Sequence, residues 1–253
     1  MTQNQKANDF LALHKKADPV VLYNIWDAGS AKAVAEAGAK VIATGSWAMA
    51  GAHGFDDGQN MPLDLVLAVC ERIIANTKLP VTVDFEGGYA DDQNGIMQNV
   101  TRLMQAGAIG LNFEDQVVGG HGLYQATEQA ERIAVVRSAI DAMGVPAVIN
   151  ARTDLFLKDN NTPTHEGMVK EAISRARIYK SAGADCFFIP GTNDVHLIRQ
   201  ICDAVSLPVN VMLMDTAADL TSMANTGVAR ISFGPAPYFA AMSSINNAAS
   251  KYF

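Results

Sequence analysis

The sequence is poor in features that mark several large classes of protein. It contains three cysteines in 253 residues, without CxxC spacing, which argues against a cysteine zinc site or a disulfide framework. Acidic residues outnumber basic ones by 26 to 19, and the net charge of −7 argues against nucleic acids and anionic membranes as partners. No apolar run reaches the roughly 18 residues of a membrane span, and residues 1–16 lack the layout of a signal peptide. We therefore expect a cytoplasmic protein that acts on a small molecule.

Several catalytic signatures are also missing. No lysine lies near the C-terminal end of a predicted strand, which disfavours Schiff-base chemistry. The loops after the seventh and eighth predicted strands lack the paired glycines of a phosphate cradle, and no GxGxxG follows the first strand. Sugar-phosphate and dinucleotide enzymes are thus disfavoured. The 11 methionines are spread along the chain, and we interpret them as core residues.

Apolar runs alternate with helical patterns along the whole chain. This alternation predicts parallel strands, and the eight units and the length predict one (β/α)₈ barrel domain, residues 1–253, preceded by an N-terminal helix at about 5–16. Glycines such as Gly107 and Gly183, in the repeated Ala-Gly-Ala, are predicted to end helices in the left-handed conformation. The predicted strands are Val20–Asp27, Lys40–Ser46, Pro80–Glu86, Ala108–Asp115, Ala147–Asp154, Asp185–Gly191, Pro208–Met214 and Arg230–Pro235.

Acidic residues end two consecutive predicted strands. Asp84 and Glu86 are two residues apart, so a strand would point both to one face, and Glu114 ends the next strand at the same level. Asp57, in the loop after the second strand, would join them. Such a cluster of carboxylates favours Mg²⁺, or Mn²⁺, held directly or through water. The alternative is that these acids cap the helices that follow.

Other polar residues lie at the same predicted rim. Arg152 ends the fifth strand, where its planar fork suits a substrate carboxylate. The alternative is an ion pair with Glu114 or Asp154, and the two can coexist. His121, flanked by glycines, is a candidate acid or base on a mobile loop, although it could equally be an ordinary surface histidine. The predicted substrate contacts are Arg152, Asn210 and the backbone of Gly45, Ser46 and Trp47.

Five stretches resemble the isocitrate lyase / phosphoenolpyruvate mutase superfamily over nearly the whole chain. They are 26–31 (WDAGSA), 54–57 (GFDD), 84–89 (DFEGGY), 112–116 (NFEDQ) and 150–154 (NARTD). The resemblance implies a barrel whose last helix swaps onto a neighbour in a homodimer or homotetramer. It implies that Asp84 is the main Mg²⁺ ligand and that Asp57, Glu86 and Glu114 bind the ion through water. It also implies that Arg152 and the Gly45–Trp47 backbone bind a 2-oxo or 2-hydroxy carboxylate, from which an enolate forms on the metal.

The chain departs from the superfamily pattern in its gate, the loop after the fourth strand. The lyases carry a gate cysteine and lysine, whereas residues 116–122 (QVVGGHG) contain neither, and Gly191 replaces a lyase glutamate after the sixth strand. The mutases' Asn-Ser gate pair is also absent, and Pro190 stands where they have a histidine. Three functions remain open: a Mg²⁺-dependent C–C lyase with Arg152, His121 and Glu114 as catalytic residues, a phosphonopyruvate-type P–C mutase or hydrolase, and a catalytically weak carboxylate-binding protein.

Overall fold

The fold is known from a computed structural model, which describes residues 1–159 and 161–253. Within that range eight strands form one sheet, and each hydrogen-bonded pair of neighbouring strands is parallel. The strands are β1 (Val20–Leu22), β2 (Ile42–Ala43), β3 (Val81–Asp84), β4 (Gly110–Glu114), β5 (Val148–Arg152), β6 (Cys186–Phe188), β7 (Val209–Met212) and β8 (Arg230–Ser232).

The sheet closes on itself. Its strands run in the order β1-β8-β7-β6-β5-β4-β3-β2, so β1 and β2 would be the free edges. A parallel bridge between Ile25 and Thr44 joins these edges, and the Asn24 side chain spans the same seam by donating to the Thr44 carbonyl at 2.8 Å. The predicted (β/α)₈ barrel is therefore confirmed.

Helices cover most of the outside of the barrel, and aspartates cap several of them. Asp27, for example, accepts from the backbone of Ser30 at 2.6 Å at the start of α2. The helices are α1 (Gln3–Ala12), α2 (Ala28–Glu36), α3 (Ser46–Ala52), α4 (Leu63–Ala75), α5 (Gln93–Gln105), α6 (Ala126–Ala142), α7 (His165–Ser181), α8 (Val195–Ala204), α9 (Leu220–Ala224) and α10 (Ala236–Ala249).

The N-terminal helix α1 closes the end of the barrel at which the strands begin. Phe10 is fully buried there, and the guanidinium of Arg230, inside the barrel, lies 5.6 Å from the centre of its ring. The Gln3 side chain ties α1 to the turn before β4 through the carbonyls of Met104 and Ala108. With one end closed in this way, a ligand reaches the barrel from the opposite end, where the strands finish.

The strands are shorter than the sequence predicted, and one difference affects the site. β3 ends at Asp84, and Glu86 has a left-handed backbone with φ of 48°. The prediction that Asp84 and Glu86 point the same way because of strand alternation was therefore wrong, since the chain has left the strand before Glu86. The structure also contains α3, a short helix rich in alanine and glycine that was not predicted, because its residues show no helical periodicity.

The outer face of β1 is uncovered in the single chain. Val21 and Tyr23 are exposed, and they border a groove of about 700 Å³ whose other lining includes Val34 of α2. The C-terminal helix α10 extends away from the barrel, and its side chains Phe239 and Ile245 are exposed. Within the described residues, no helix combines the length and apolar character needed to cross a membrane.

Candidate active site

A cavity of about 220 Å³ opens at the C-terminal end of the barrel. Three charged residues line it: Asp57, Asp84 and Arg152. The other lining residues are Asn24, Gly45, Ser46, Trp47, Asn112, Leu157, Phe188, Met212, Met214, Ser232, Gly234 and Pro235. The cavity thus contains much of the predicted site, together with apolar residues that the sequence had not indicated.

Asp84, at the end of β3, is held by donors from the two flanking strands. Its Oδ2 accepts from the backbone N–H and the hydroxyl of Ser46 at 3.1 and 2.9 Å, and its Oδ1 accepts from the Asn112 amide at 3.1 Å. Asn112 is oriented in turn because its Oδ1 accepts from Asn150 and Arg230. These contacts orient an acceptor carboxylate toward the cavity.

The Gly45–Trp47 segment is not a free loop. The Gly45 N–H donates to the Ile25 carbonyl at 3.0 Å, and the Ser46 N–H is engaged by Asp84, so neither is free for a substrate carboxylate in this structure. Trp47 borders the cavity and packs edge-on against Phe239 of α10, with ring centres 4.5 Å apart. The segment therefore orients Asp84 and forms a wall of the cavity.

Glu86 and Asp57 occupy different environments. Glu86 is buried outside the cavity lining, where it accepts from the Gln59 N–H at 2.7 Å and the Tyr89 hydroxyl at 2.6 Å. Burial raises the pKa of Glu86 to about 7, and repulsion from Asp57 and Asp84 adds to this effect. Asp57 faces the cavity, and its pKa is raised by burial first and then by Asp84.

Arg152 is paired with two acids as well as facing the cavity. Its Nη1 lies 3.0 Å from Glu114 Oε2, and its Nε and Nη2 donate to the two oxygens of Asp154. Burial alone would lower the pKa of Arg152, but Asp154, Glu114 and Asp84 together raise it. Burial is also the main reason that the pKa of Glu114 is raised. Arg152 therefore forms the predicted ion pairs and also lines the cavity.

Two further predicted residues, besides Glu86 and Glu114, do not line the cavity. His121 is exposed in the gate loop, whose ends are joined by the bridge between Gln116 and Leu123. Asn210 is fully buried inside the barrel, where it accepts from Asn150 and donates to the Val211 carbonyl. The structure gives Asn210 a place in the internal amide network below the cavity, rather than in contact with a substrate.

A buried ion pair and hydrogen-bond cluster behind the site was not predicted from the sequence. Asp115 points away from the cavity and binds Arg175 at 3.0 Å and the Tyr179 hydroxyl at 2.7 Å, both on α7. Its other oxygen accepts from the Asp154 N–H at 2.9 Å. Strand alternation could have indicated that Asp115 and Glu114 face opposite ways. It could not have indicated that Glu114 pairs with Arg152 and Asp115 with Arg175.

The donor set fits a divalent ion that keeps most of its water. In the described part of the chain, no group of three or more His, Cys, Asp or Glu side chains converges as a metal cage. Glu86 and Glu114 are engaged by local donors and do not line the cavity. Asp84 also accepts from Ser46 and Asn112, but it lines the cavity, as does Asp57. Mg²⁺ commonly binds through one or two carboxylates plus water and substrate oxygens, which matches the two aspartates.

Comparison with known proteins shows which family the chain belongs to. The sequence model for phosphoenolpyruvate phosphomutase matches residues 10–253. The 2-methylisocitrate lyase of Escherichia coli K12 is 31% identical over 215 residues, which cover 83% of this chain and 70% of the lyase. The oxaloacetate decarboxylase of Chromohalobacter salexigens is 27% identical over 95% of this chain and 83% of its own length.

Solved structures agree with this placement. A Burkholderia cenocepacia J2315 protein, provisionally named a phosphonomutase, is 43% identical, with a TM-score of 0.95 over 98% of this chain and 99% of that chain. A phosphonopyruvate hydrolase solved with oxalate and Mg²⁺ has a TM-score of 0.85 over 99% of this chain and 87% of that one, and at 18% identity it shows a common fold. This chain therefore belongs to the phosphoenolpyruvate phosphomutase family, within the isocitrate lyase / phosphoenolpyruvate mutase superfamily.

Proposed function

We propose that this protein is a Mg²⁺-dependent lyase that cleaves a carbon–carbon bond in a small 2-oxo or 2-hydroxy carboxylate. The observation that carries the proposal is the meeting of Asp84 and Arg152 at one small cavity. Two relatives support it, since by their names a 2-methylisocitrate lyase and an oxaloacetate decarboxylase break carbon–carbon bonds.

The residues of the cavity have distinct roles in this proposal. Asp84 and Asp57 hold the ion together with water, and Mn²⁺ would suit the same oxygen ligands. Arg152 binds the substrate carboxylate, and Glu114 positions Arg152 through their 3.0 Å contact. Bound Mg²⁺ would supply a Lewis acid that polarises the 2-oxo or 2-hydroxy group. The positive charge of Arg152 then stabilises negative charge that develops beside it as the bond breaks.

Phosphonopyruvate-type P–C chemistry is the second candidate. It is favoured by the 43% identity to the Burkholderia protein provisionally named a phosphonomutase. Against it, Arg152 is the single cation that lines the cavity among the described residues, and the doubly charged phosphonyl group of such a substrate needs more cationic partners.

A catalytically weak carboxylate-binding protein is the third candidate. It is favoured by the position of His121 in the exposed gate loop, because the described cavity lining then contains no histidine, cysteine or lysine to transfer a proton. In the lyase proposal, closure of the gate brings His121 to the cavity as the acid or base.

Turnover with defined substrates tests the three candidates. The protein is incubated with Mg²⁺ and oxaloacetate, 2-methylisocitrate, 4-hydroxy-2-oxopentanoate or phosphonopyruvate, and pyruvate, succinate, acetaldehyde, phosphoenolpyruvate and phosphate are followed. Carbon–carbon cleavage products from the first three compounds support the lyase. Phosphoenolpyruvate or phosphate formed from phosphonopyruvate supports P–C chemistry. Stabilisation by oxalate and Mg²⁺, without turnover of any compound, supports the binding protein.

Substitution of Asp84 tests the metal site separately. Asp84→Ala is expected to abolish Mg²⁺ binding in calorimetry and Mg²⁺-linked turnover, while the far-ultraviolet circular dichroism of the barrel is retained. Asp56→Ala is the matched control, because Asp56 precedes Asp57 but does not line the cavity. Unchanged Mg²⁺ affinity and turnover in Asp84→Ala would refute the assignment of this residue.

We also propose that the protein is a cytoplasmic homo-oligomer. The groove beside Val21 and Tyr23 has the apolar lining that a helix needs, and α10 carries exposed Phe239, Met242 and Ile245. In this proposal α10 of one copy packs into the groove of another, in a dimer or tetramer. The three cysteines are buried and unbridged, which supports a reducing compartment.

Light scattering tests the assembly. The protein is expected to have the mass of a dimer or tetramer, and Ile245→Lys is expected to lower that mass by placing a charge in the apolar contact. Met97→Lys is the control, since Met97 is an exposed methionine on α5 outside the groove. A monomeric mass for the unchanged protein would contradict the proposal.

A further inference from the structure

The rim of the cavity is divided into a polar half and an apolar half. Because the strands follow one another in order around the barrel, residues at or after the ends of β2 to β5 form one side of the rim, and residues at or after the ends of β6, β7, β8 and β1 form the other. Asp57, Asp84, Asn112 and Arg152 belong to the first side, which also contains Trp47 and Leu157. The second side contributes mainly apolar residues, beginning with Phe188.

Resting on the proposed function, we propose that the substrate carries one carboxylate at its reacting end and an uncharged, apolar substituent at the other. The substituent lies against Phe188, Met212 and Met214 of the second side. It also lies against Leu157, which follows β5 but whose backbone lies beside Gly191, after β6. These four residues are the apolar side of the cavity. This substrate class differs from dicarboxylates and tricarboxylates, which require a second anion site.

The cationic capacity of the cavity is sufficient for one carboxylate. Arg152 is the single basic residue in the described lining. Two of its five N–H donors, on Nε and Nη2, bind Asp154, and its Nη1 forms an ion pair with Glu114 at 3.0 Å. The N–H groups that remain on Nη1 and Nη2 suit the two oxygens of a single carboxylate. The two positive charges of a divalent ion at Asp57 and Asp84 are balanced by the negative charges of those two aspartates. The ion therefore leaves no net positive charge for a second carboxylate.

The polar groups on the second side of the rim are already engaged. Asn24 Oδ1 accepts from the Phe233 and Gly234 N–H groups at 2.9 Å, and its amide donates to Thr44. The Ser232 hydroxyl donates to the Val211 carbonyl at 3.2 Å. A second carboxylate placed on this side would lose its water without gaining a cation, which is unfavourable.

The apolar side is shaped by close backbone contacts. Gly191 has φ of 96°, and a Cβ there would lie 2.4 Å from the Leu157 nitrogen. A Cβ on Gly234 would lie 2.4 Å from the Met212 sulfur. Any larger residue at either glycine would displace Leu157 or Met212, so these two glycines set the position of the apolar wall.

The apolar side also reaches the mouth of the cavity. Met214 is 47% exposed and Leu157 is 37% exposed, although Phe188, deeper in the cavity, is 3% exposed. A ligand with an alkyl group would remove these side chains from water, and the hydrophobic effect would add to its affinity.

A matched pair of oxamates tests this inference without requiring turnover. Oxalate is the reference ligand for the reacting end. N-(3-methylbutyl)oxamate and N-(2-carboxyethyl)oxamate have the same number of non-hydrogen atoms in their tails, which end in an isopropyl group and a carboxylate. Their dissociation constants are measured by calorimetry in saturating Mg²⁺. We expect the methylbutyl compound to bind at least about tenfold more tightly than the carboxyethyl compound.

A cation added to the apolar side provides a second measurement. Met214→Arg is expected to tighten binding of the carboxyethyl compound and to weaken the preference for the alkyl tail. Met97→Arg, on α5 and 41% exposed, is expected to leave both constants unchanged.

Three outcomes would overturn the proposal. Equal or tighter binding of the carboxyethyl compound, with oxalate bound normally, would overturn the substrate class and leave the proposed function intact. If Met214→Arg preferred the alkyl tail as strongly as the unchanged protein does, the apolar side could not be the cause of that preference. Failure of oxalate to bind the folded protein would overturn the proposed function and this inference together.

Discussion

Replacing Gly191 with alanine should destabilise the protein through two separate effects. Gly191 follows β6 with φ of 96°, a conformation that residues with a Cβ rarely adopt. The added methyl group would also lie 2.4 Å from the Leu157 nitrogen, 2.5 Å from the Leu157 Cα and 2.6 Å from the Phe156 carbonyl carbon. These neighbours are backbone atoms, so the contact cannot be relieved by a side-chain rotation.

The magnitude follows from these two effects. The left-handed conformation costs an alanine about 1–2 kcal/mol. Displacing backbone by overpacking costs a further ~1–3 kcal/mol. Together they lower the free energy of unfolding by about 2–5 kcal/mol, and for a chain of this size each kcal/mol lowers the melting temperature by about 2–4 °C.

Gly227→Ala is the matched control for this experiment. Gly227 has a similar φ of 93°, but a Cβ there would have an ordinary contact of 3.4 Å with Cys202. This variant should show the conformational cost alone, about 1–2 kcal/mol. Differential scanning calorimetry at equal protein concentration measures both, and the difference between the variants isolates the clash with Leu157.

The two variants also differ in their expected effect on the site. Displacement of Leu157 should weaken binding of the methylbutyl oxamate in Gly191→Ala, whereas Gly227→Ala should bind it normally. The reasoning is refuted if Gly191→Ala melts no lower than Gly227→Ala, because the contact with the Leu157 backbone would then add no destabilisation.

Two further predictions concern buried groups outside the cavity. Burial, helped by Arg230, lowers the pKa of His14 from 6.5 to about 4, so the unfolded chain takes up a proton first as pH falls. The free energy of unfolding should therefore decrease by up to about 3 kcal/mol as the pH falls from 6.5 to about 4. His14→Gln should remove this part of the pH dependence, which urea unfolding at several pH values measures. An unchanged pH profile in the variant would contradict the assignment to His14. Tyr179→Phe removes the hydroxyl that donates to Asp115 at 2.7 Å and should cost about 1.5–3 kcal/mol in the same assay. Tyr252→Phe, at an 84% exposed residue, should cost nothing, and equal losses in the two tyrosine variants would count against the Asp115 network.

The barrel could be predicted because its determinants are local and repeated. Each β/α unit contains an apolar run and an amphipathic or alanine-rich segment, and a glycine or proline separates many helices from the strands that follow. Gly107 and Gly183 adopt φ of 101° and 106°, as the Ala-Gly-Ala repeats predicted. The exact ends of the strands could not be predicted, because they depend on where the chain leaves the barrel. Glu86 shows the consequence, since its left-handed backbone separates it from the alternation that places Asp84.

The polar side of the candidate site could be predicted in part. An acid or an arginine at the end of a buried strand is unusual, so Asp84 and Arg152 were identifiable from position and residue type. Their partners were harder to predict, because Ser46 reaches Asp84 from the start of α3 and Asn112 reaches it from β4. Asn210 shows the opposite error, since its side chain lies within the barrel and not at its rim.

The apolar side of the cavity could not be predicted from residue type. Met212 and Met214 were interpreted as core residues, and a methionine at a strand end has no feature that separates a core residue from a substrate contact. The distinction depends on exposure, since Met214 is 47% exposed and faces the cavity mouth. A charged residue reveals a site because burying it is costly, whereas an apolar residue reveals one where folding leaves it uncovered. The substrate's reacting end is therefore the part that sequence can indicate, and its substituent is the part that requires the folded barrel.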